Sequence, residues 1–272
     1  MQRRHMLGRP RALALVLVTV MTHASSIAAD LSTRQAASQS TQWRVTPRFE
    51  STSGRYGGTS STRIAESSMR VQADTGSNLF ALTLTHLEIT ADRDVLVADG
   101  SVIVGSTAAE RATVRGPGDT FLAWEHRLLP AAQPLQLDSV VKVKLPTASA
   151  EHGLGSGKRD YALQVNASLE RGVWTPWLEA GYRVRGRPPD SAIRDSAFGA
   201  LVVTRRIARG MSIEAVFDYR DPPASGSPHQ AELSLALRYR LGPSLGVEVY
   251  AIKGLSDGSP ERGGGLALSF AF

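Results

Sequence analysis

The sequence predicts an all-β chain closed into a transmembrane antiparallel barrel of about 12 strands, with 10 and 14 as the alternatives. Three observations carry this: apolar and polar residues alternate, the alternating runs are about 9 to 13 residues long, and the links between them alternate long and short. Period two is the strand signal, because successive side chains point to opposite faces. Alternation alone also fits a soluble sandwich with its apolar face turned inward. Length separates the two, since globular strands usually run ~5–6 residues and a tilted membrane strand needs ~9–11.

The first 29 of the 272 residues read as a secretory signal. MQRRHMLGRPR is basic, ALALVLVTVM is a short apolar stretch, and THASSIAA supplies small residues, which sets the expected cleavage after Ala28 or Ala29. The RRHML segment also loosely resembles a twin-arginine signal. Arg3, Arg4, Arg9 and Arg11 lie in this segment; without those four, the 31 basic residues become 27 against 25 acidic. The mature chain is then near neutral, and nucleic-acid binding loses its electrostatic support. The absence of cysteine excludes a disulfide framework and a lipoprotein anchor. Residues 30–42 are polar and read as a loose periplasmic leader, which assigns 43–272 to the barrel.

Strands are expected at 43–51, 62–73, 78–89, 118–128, 135–145, 159–170, 173–185, 195–208, 210–220, 229–241, 244–253 and 263–272. The stretch 94–105 reads either as an extracellular hairpin or as an added strand pair. In LQLDSVVKVKL, Leu135, Leu137, Val141, Val143 and Leu145 oppose Gln136, Asp138, Lys142 and Lys144. In AELSLALRYRL, Leu233, Leu235, Leu237 and Tyr239 oppose Glu232, Ser234, Arg238 and Arg240. The segments at 161–169, 173–184 and 212–220 repeat the pattern. Long links (146–158, 186–194, DPPASGSP, LSDGSPER) alternate with short ones (LPAAQP, ERG, ARG, LGP), as expected when one rim carries extracellular loops and the other tight periplasmic turns. The ending GGGLALSFAF resembles the terminal strand of bacterial outer-membrane barrels, which implies that Phe272 forms part of the signal read by the barrel assembly machinery.

GPGDTFLAWEHRLLP at 116–130 and VVKVKLPTASAEHGLGSGKRDYALQVNASL at 140–169 resemble the transporter-like outer-membrane proteins grouped with the meta-pathway of phenol degradation. The resemblance rests on Lys144, Leu145, Pro146, Thr147, Gly153, Leu154, Gly155, Gly157 and Asp160, with Ala148 where that family usually has glycine. It covers residues 116–185 well and the rest in rhythm only. It implies a small barrel in the bacterial outer membrane, set in lipid and lipopolysaccharide, that passes small compounds, hydrophobic or aromatic ones among them.

Other chemistries find little support. GLGSGK suggests a phosphate loop, but Gly153 and Gly157 are one residue too close and Arg159 stands where the hydroxyl belongs. The glycines instead suit turns with positive φ in a mobile extracellular crown. His86, His126, His152 and His229 raise an enzyme acting on lipid or peptide at the outer rim, yet no nucleophile motif accompanies them. An adhesion barrel is the other rival. No metal-ligand spacing or cofactor motif appears, so no metal, cofactor or catalytic residue is expected.

The charged face is the candidate solute path: Lys142, Lys144, Arg183, Arg220, Arg238 and Arg240, with Asp138, Glu179, Glu214, Asp218, Glu232 and Glu248. A Lys or Arg on the lipid face near the midplane would cost ~2–4 kcal/mol, which specifies their inward placement. Two readings stand: the charges cross-pair and fill a narrow lumen, or a basic ladder lines a path for polar solutes. Trp124, Trp174, Tyr182, Tyr219, Tyr239 and Tyr250 are expected in an interfacial girdle, and Trp177, in the phase of Glu179, inside.

Overall fold

The computed structural model describes residues 16–19, 41–98, 101–130, 133–189, 191–222 and 224–272. The expected signal and leader lie outside the described residues, apart from 16–19 and the start of the first wall strand. The strands are β1 Val16–Thr19, β2 Gln42–Gly54, β3 Thr62–Asp74, β4 Asn78–Ala98, β5 Ser101–Pro117, β6 Thr120–Arg127, β7 Leu135–Leu145, β8 Asp160–Leu169, β9 Trp174–Arg185, β10 Ser196–Ala208, β11 Met211–Arg220, β12 Gln230–Arg240, β13 Leu245–Gly254 and β14 Arg262–Ala271. Neighbours pair antiparallel, and β14 pairs with β2 from Arg262↔Ser53 to Ala271↔Arg44, which closes the sheet. Reciprocal backbone bonds between Trp43 and Phe272, 2.9 and 3.0 Å long, tie the last residue to the start of the wall. Closure leaves no strand edge for lipid to meet, the condition for spanning a bilayer with strands.

Segment 94–105 extends a hairpin and adds no strand pair to the wall. β4 pairs with β6 from Asn78↔His126 to Thr83↔Phe121, then with β5 from His86↔Pro117 up to Ala98↔Ser101. β5 and β6 therefore share one position, and the wall has 12. Their junction is held by Gly118 N–H donating to Thr85 O at 2.9 Å and by Thr85 Oγ1 donating to Asp119 O at 2.8 Å. β3 stops pairing with β4 at Arg63↔Thr90, so the rest of β4 and most of β5 rise beyond the wall as a two-stranded ribbon. β1 pairs with residues Ser101–Val104 of that ribbon and takes no part in the wall.

The two faces are inverted relative to a soluble protein. Leu163, Leu178 and Leu235 point outward, 61%, 55% and 61% exposed, while Gln164, Asn166, Glu214 and Glu232 are buried inside. Trp43, Trp174, Tyr239 and Phe270 are exposed at the rim of the tight turns, and Tyr161, Tyr182 and Tyr219 near the rim of the long loops. These are the two belts in which an aromatic ring meets both lipid and water. Trp124 is also outward. Tyr250 corrects the sequence reading: it is buried in the lumen, because the strand phase that turns Glu248 inward also turns Tyr250 inward.

Candidate functional site

The polar lumen is the site, and it is built in layers. Nearest the tight turns lies a cavity of about 460 Å³ lined by Arg44, Arg48, Arg206, Arg209, Arg238 and Arg240, with Glu248. Its floor is a chain of ion pairs running across β10 to β13 and on to β2. Thr204 Oγ1 donates to Glu214 at 2.7 Å, and Arg238 donates through one nitrogen to Glu214 at 2.8 Å and through Nε to Glu248 at 2.5 Å. Arg48 reaches Glu248 at 3.4 Å and lies 5.3 Å from the centre of the Tyr250 ring, whose hydroxyl donates to Glu50 at 2.6 Å. A Cβ at Gly265 would stand 2.4 Å from the Tyr250 hydroxyl, so the absent side chain is what lets Tyr250 lie across β14 toward β2.

Above this floor Trp177 packs with Ala200, Val202 and Val216, all inward and buried, as an apolar plug. The next layer holds Glu179, Arg183, Asp218, Arg220 and Glu232, with Arg220 paired to Asp218 at 2.9 Å. Phe198 lies between Arg183 and Lys142, 5.1 and 5.9 Å from its ring centre. Asp138, beside Arg127, faces inward from β7.

At the loop end lies the segment that first suggested a phosphate loop. Lys144 Nζ sits 3.1 Å from Asp119, 3.0 Å from Asp160 and 2.8 Å from Ser156 Oγ, and all four residues are buried. Asp119 also accepts Ala148 N–H at 3.2 Å, and Asp160 accepts Gly186 N–H at 2.9 Å, so one buried ammonium anchors the carboxylates that hold two loops. Thr147 Oγ1 donates to Gly118 O at 3.1 Å. Gly153 and Gly157 have φ of 70° and 65°, the left-handed region glycine favours.

The excursion between these glycines is not an open crown. It turns back, and Leu154 is buried with Ala148 against Tyr56, Ile64, Leu87 and Ile89. A Cβ on Gly155 would stand 2.6 Å from Ala148 Cβ and 2.9 Å from Asp119, so glycine is what admits this packing. Tyr56 comes from the opposite loop with φ of 53°, uncommon for a residue with a side chain, and is buried. Burial pushes its phenol above the usual range. The physical reason for the inward turn is apolar: Leu154 and Tyr56 bury their side chains in the mouth rather than leave them in water.

All the charged residues anticipated for the lumen face inward, but they do different things. Lys144 and Asp160 are locked in the loop node, Glu214, Arg238 and Glu248 in the floor, and Asp218 with Arg220 in the middle; Arg240 opens into the cavity. Leu145 and Pro146 carry the chain from β7 into the node. Sequence reasoning missed Arg48, Glu50, Asp119, Ser156 and Tyr56. The alternation in WRVTPRFE, with Arg44, Thr46, Arg48 and Glu50 in one phase, held the signal for the first two; nothing in the sequence says that Tyr56 folds inward. Among the described residues the histidines assemble no triad: His126 Nδ1 is 2.9 Å from Asn78 Oδ1, and His152 pairs with Ser149 at 2.8 Å in an exposed turn. Among the described residues no group of three or more His, Cys, Asp or Glu could hold a metal ion.

The fold this geometry defines is a closed antiparallel β-barrel with an apolar outer face, the architecture that bacterial outer-membrane proteins have. The chain is similar to an outer membrane channel from Pseudomonas putida F1, with a TM-score of 0.63 at 14% identity over 85% of this chain and 95% of that one. It is also similar to the KdgM porin in complex with disordered oligogalacturonate, with a TM-score of 0.51 at 7% identity over 84% and 99% of the two chains. The NanC porin gives a TM-score of 0.50 at 9% identity over 84% and 98%. No protein-family pattern and no curated sequence matches the chain.

Proposed function

We propose that this protein is a non-enzymatic, porin-like channel of the bacterial outer membrane, seen with its outer mouth shut. The observation that carries the reading is the lumen: a charged interior within an apolar wall, with a cavity at one end and a folded-in loop plug at the other. A barrel serving only as an anchor has no need of such a cavity or of a plug borrowed from two loops. The long loops face the exterior and the tight turns the periplasm, the arrangement usual for such barrels. The resemblance to the meta-pathway transporter group supports small aromatic or hydrophobic compounds as cargo, and Tyr56, Leu154 and Trp177 would give an aromatic body apolar contacts along its way.

Single-channel recording of the refolded protein in planar bilayers tests this. The expected record shows small, infrequent openings that increase when the Leu154 plug is loosened. Silence from both the wild type and a plug-loosened variant, across several salts and solutes, would overturn the channel reading.

A further inference from the structure

The cavity at the turn end is basic beyond what its own acids neutralise. Arg48 and Arg238 are engaged by Glu248 and Glu214. Arg44 has Asp74 as an attractive neighbour and Arg240 as a repulsive one. Arg206 donates to the Gly172 carbonyl at 3.1 Å, a neutral acceptor. Among the described residues, Arg206, Arg209 and Arg240 form no ion pair with a carboxylate, and all three line the same space. Like charges gathered in a concave, low-dielectric wall focus a positive potential into it.

The rest of the lining is mixed, with the polar Thr46, Gln72, Thr204, Ser212 and Ser269 among its members. Ala267 and Ala271, paired with Arg48 and Arg44, add inward-facing methyl groups to the same cavity. Its volume of about 460 Å³ falls within the ~300–1,000 Å³ typical of small-molecule sites. A guanidinium matches a carboxylate with two parallel N–H donors, a geometry that an apolar or cationic solute cannot use.

We propose that this vestibule is a binding site for small organic anions: a carboxylate held by Arg206, Arg209 and Arg240, with its body against Ala267, Ala271 and the hydroxyls of Ser212 and Ser269. The site names the ligand class as a small carboxylate whose body meets a mixed surface of methyl and hydroxyl groups. Binding requires only the vestibule; its place as the last station before the periplasm rests on the channel reading above.

The two are separated by measuring binding at equilibrium, in detergent, with no membrane to cross. Benzoate titrated into the folded protein by calorimetry is expected to saturate one site, to weaken as ionic strength rises, and to bind more tightly than benzyl alcohol. The variant Arg206→Gln/Arg209→Gln/Arg240→Gln is expected to bind benzoate about tenfold more weakly, the scale of a lost charge-assisted hydrogen bond. Arg209→Gln alone, at an exposed turn, leaves the wall untouched and is expected to show part of the same loss. Equal affinity for benzoate and benzyl alcohol, affinity unchanged in both variants, or no saturable binding would overturn the site. Inorganic phosphate displacing benzoate as well as benzoate displaces itself would overturn the organic-anion assignment. Saturable, arginine-dependent binding by a protein that never conducts would uphold the site while the channel reading fell.

Discussion

Replacing Lys144 by methionine removes the one ammonium shared by two buried carboxylates. Its nitrogen lies 3.1 Å from Asp119 and 3.0 Å from Asp160, with side-chain exposures of 1%, 4% and 3% for the three residues. Breaking a buried pair by deleting one partner costs ~3–5 kcal/mol, because the remaining charge stays buried without compensation. Two carboxylates lose their ammonium here and each keeps a backbone N–H donor, so a cost within that range is expected. The loss is expected to be local: Asp119 holds Ala148 N–H and Asp160 holds Gly186 N–H, so the 146–159 plug and the start of the 186–195 loop come free while the wall remains paired. The assay is limited trypsin digestion of the protein in liposomes. Cleavage at Lys158 and Arg159 should accelerate by at least tenfold, with a parallel rise in open-channel conductance. Adding Asp119→Asn and Asp160→Asn to Lys144→Met removes the stranded charges and should recover much of the resistance. Unchanged cleavage in the single variant, or no recovery in the triple, would refute the claim that this node holds the plug.

Three more outcomes follow from the same geometry. Gly155→Val places a branched side chain where even a Cβ meets Ala148 and Asp119; displacement of Leu154 from the mouth should raise conductance with the unfolding midpoint of the barrel little changed. Tyr250→Phe removes the hydroxyl that donates to buried Glu50 at 2.6 Å and should lower stability by ~1–3 kcal/mol in urea unfolding, the cost of leaving a buried acceptor without its donor. Asp195 is held below its ordinary value of 3.8, chiefly by the Arg185 backbone N–H and, beyond that, by the Arg187 guanidinium at 2.8 Å. A carboxylate so depressed stabilises the fold above its unfolded value and loses that contribution as pH falls through the lower folded one. The 186–195 loop should thus stay ordered down to about 3.8 and loosen below it. A spin label on Arg194→Cys, in a chain with no other cysteine, should gain mobility across that interval, and Asp195→Asn should abolish the transition.

The wall was legible residue by residue. The expected 135–145 strand is β7 to the residue, and 229–241 and 263–272 differ from β12 and β14 by one residue at each end. Lipid and lumen impose opposite demands on alternate positions, and a one-residue slip would turn every charge into the bilayer. That local rule also placed Trp177 inside, and applied consistently it would have placed Tyr250 there too. Segment 94–105 was ambiguous because a ribbon above the membrane alternates like a wall strand, and only pairing partners tell them apart.

By itself the sequence determined a barrel of about twelve strands, with ten and fourteen left open, and the face of most wall residues, since these depend on period, length and parity within a few residues of chain. Tertiary structure alone decided that Lys144 meets Asp119 and Asp160, that Arg238 bridges Glu214 and Glu248, and that Leu154 and Tyr56 turn inward to close the mouth. These contacts join residues on different strands and loops, from 10 residues apart for Arg238 and Glu248 upward. They exist because closure and stagger of the sheet bring particular inward positions level with one another, and because a loop above a partly apolar mouth lowers its free energy by burying its own apolar side chains there.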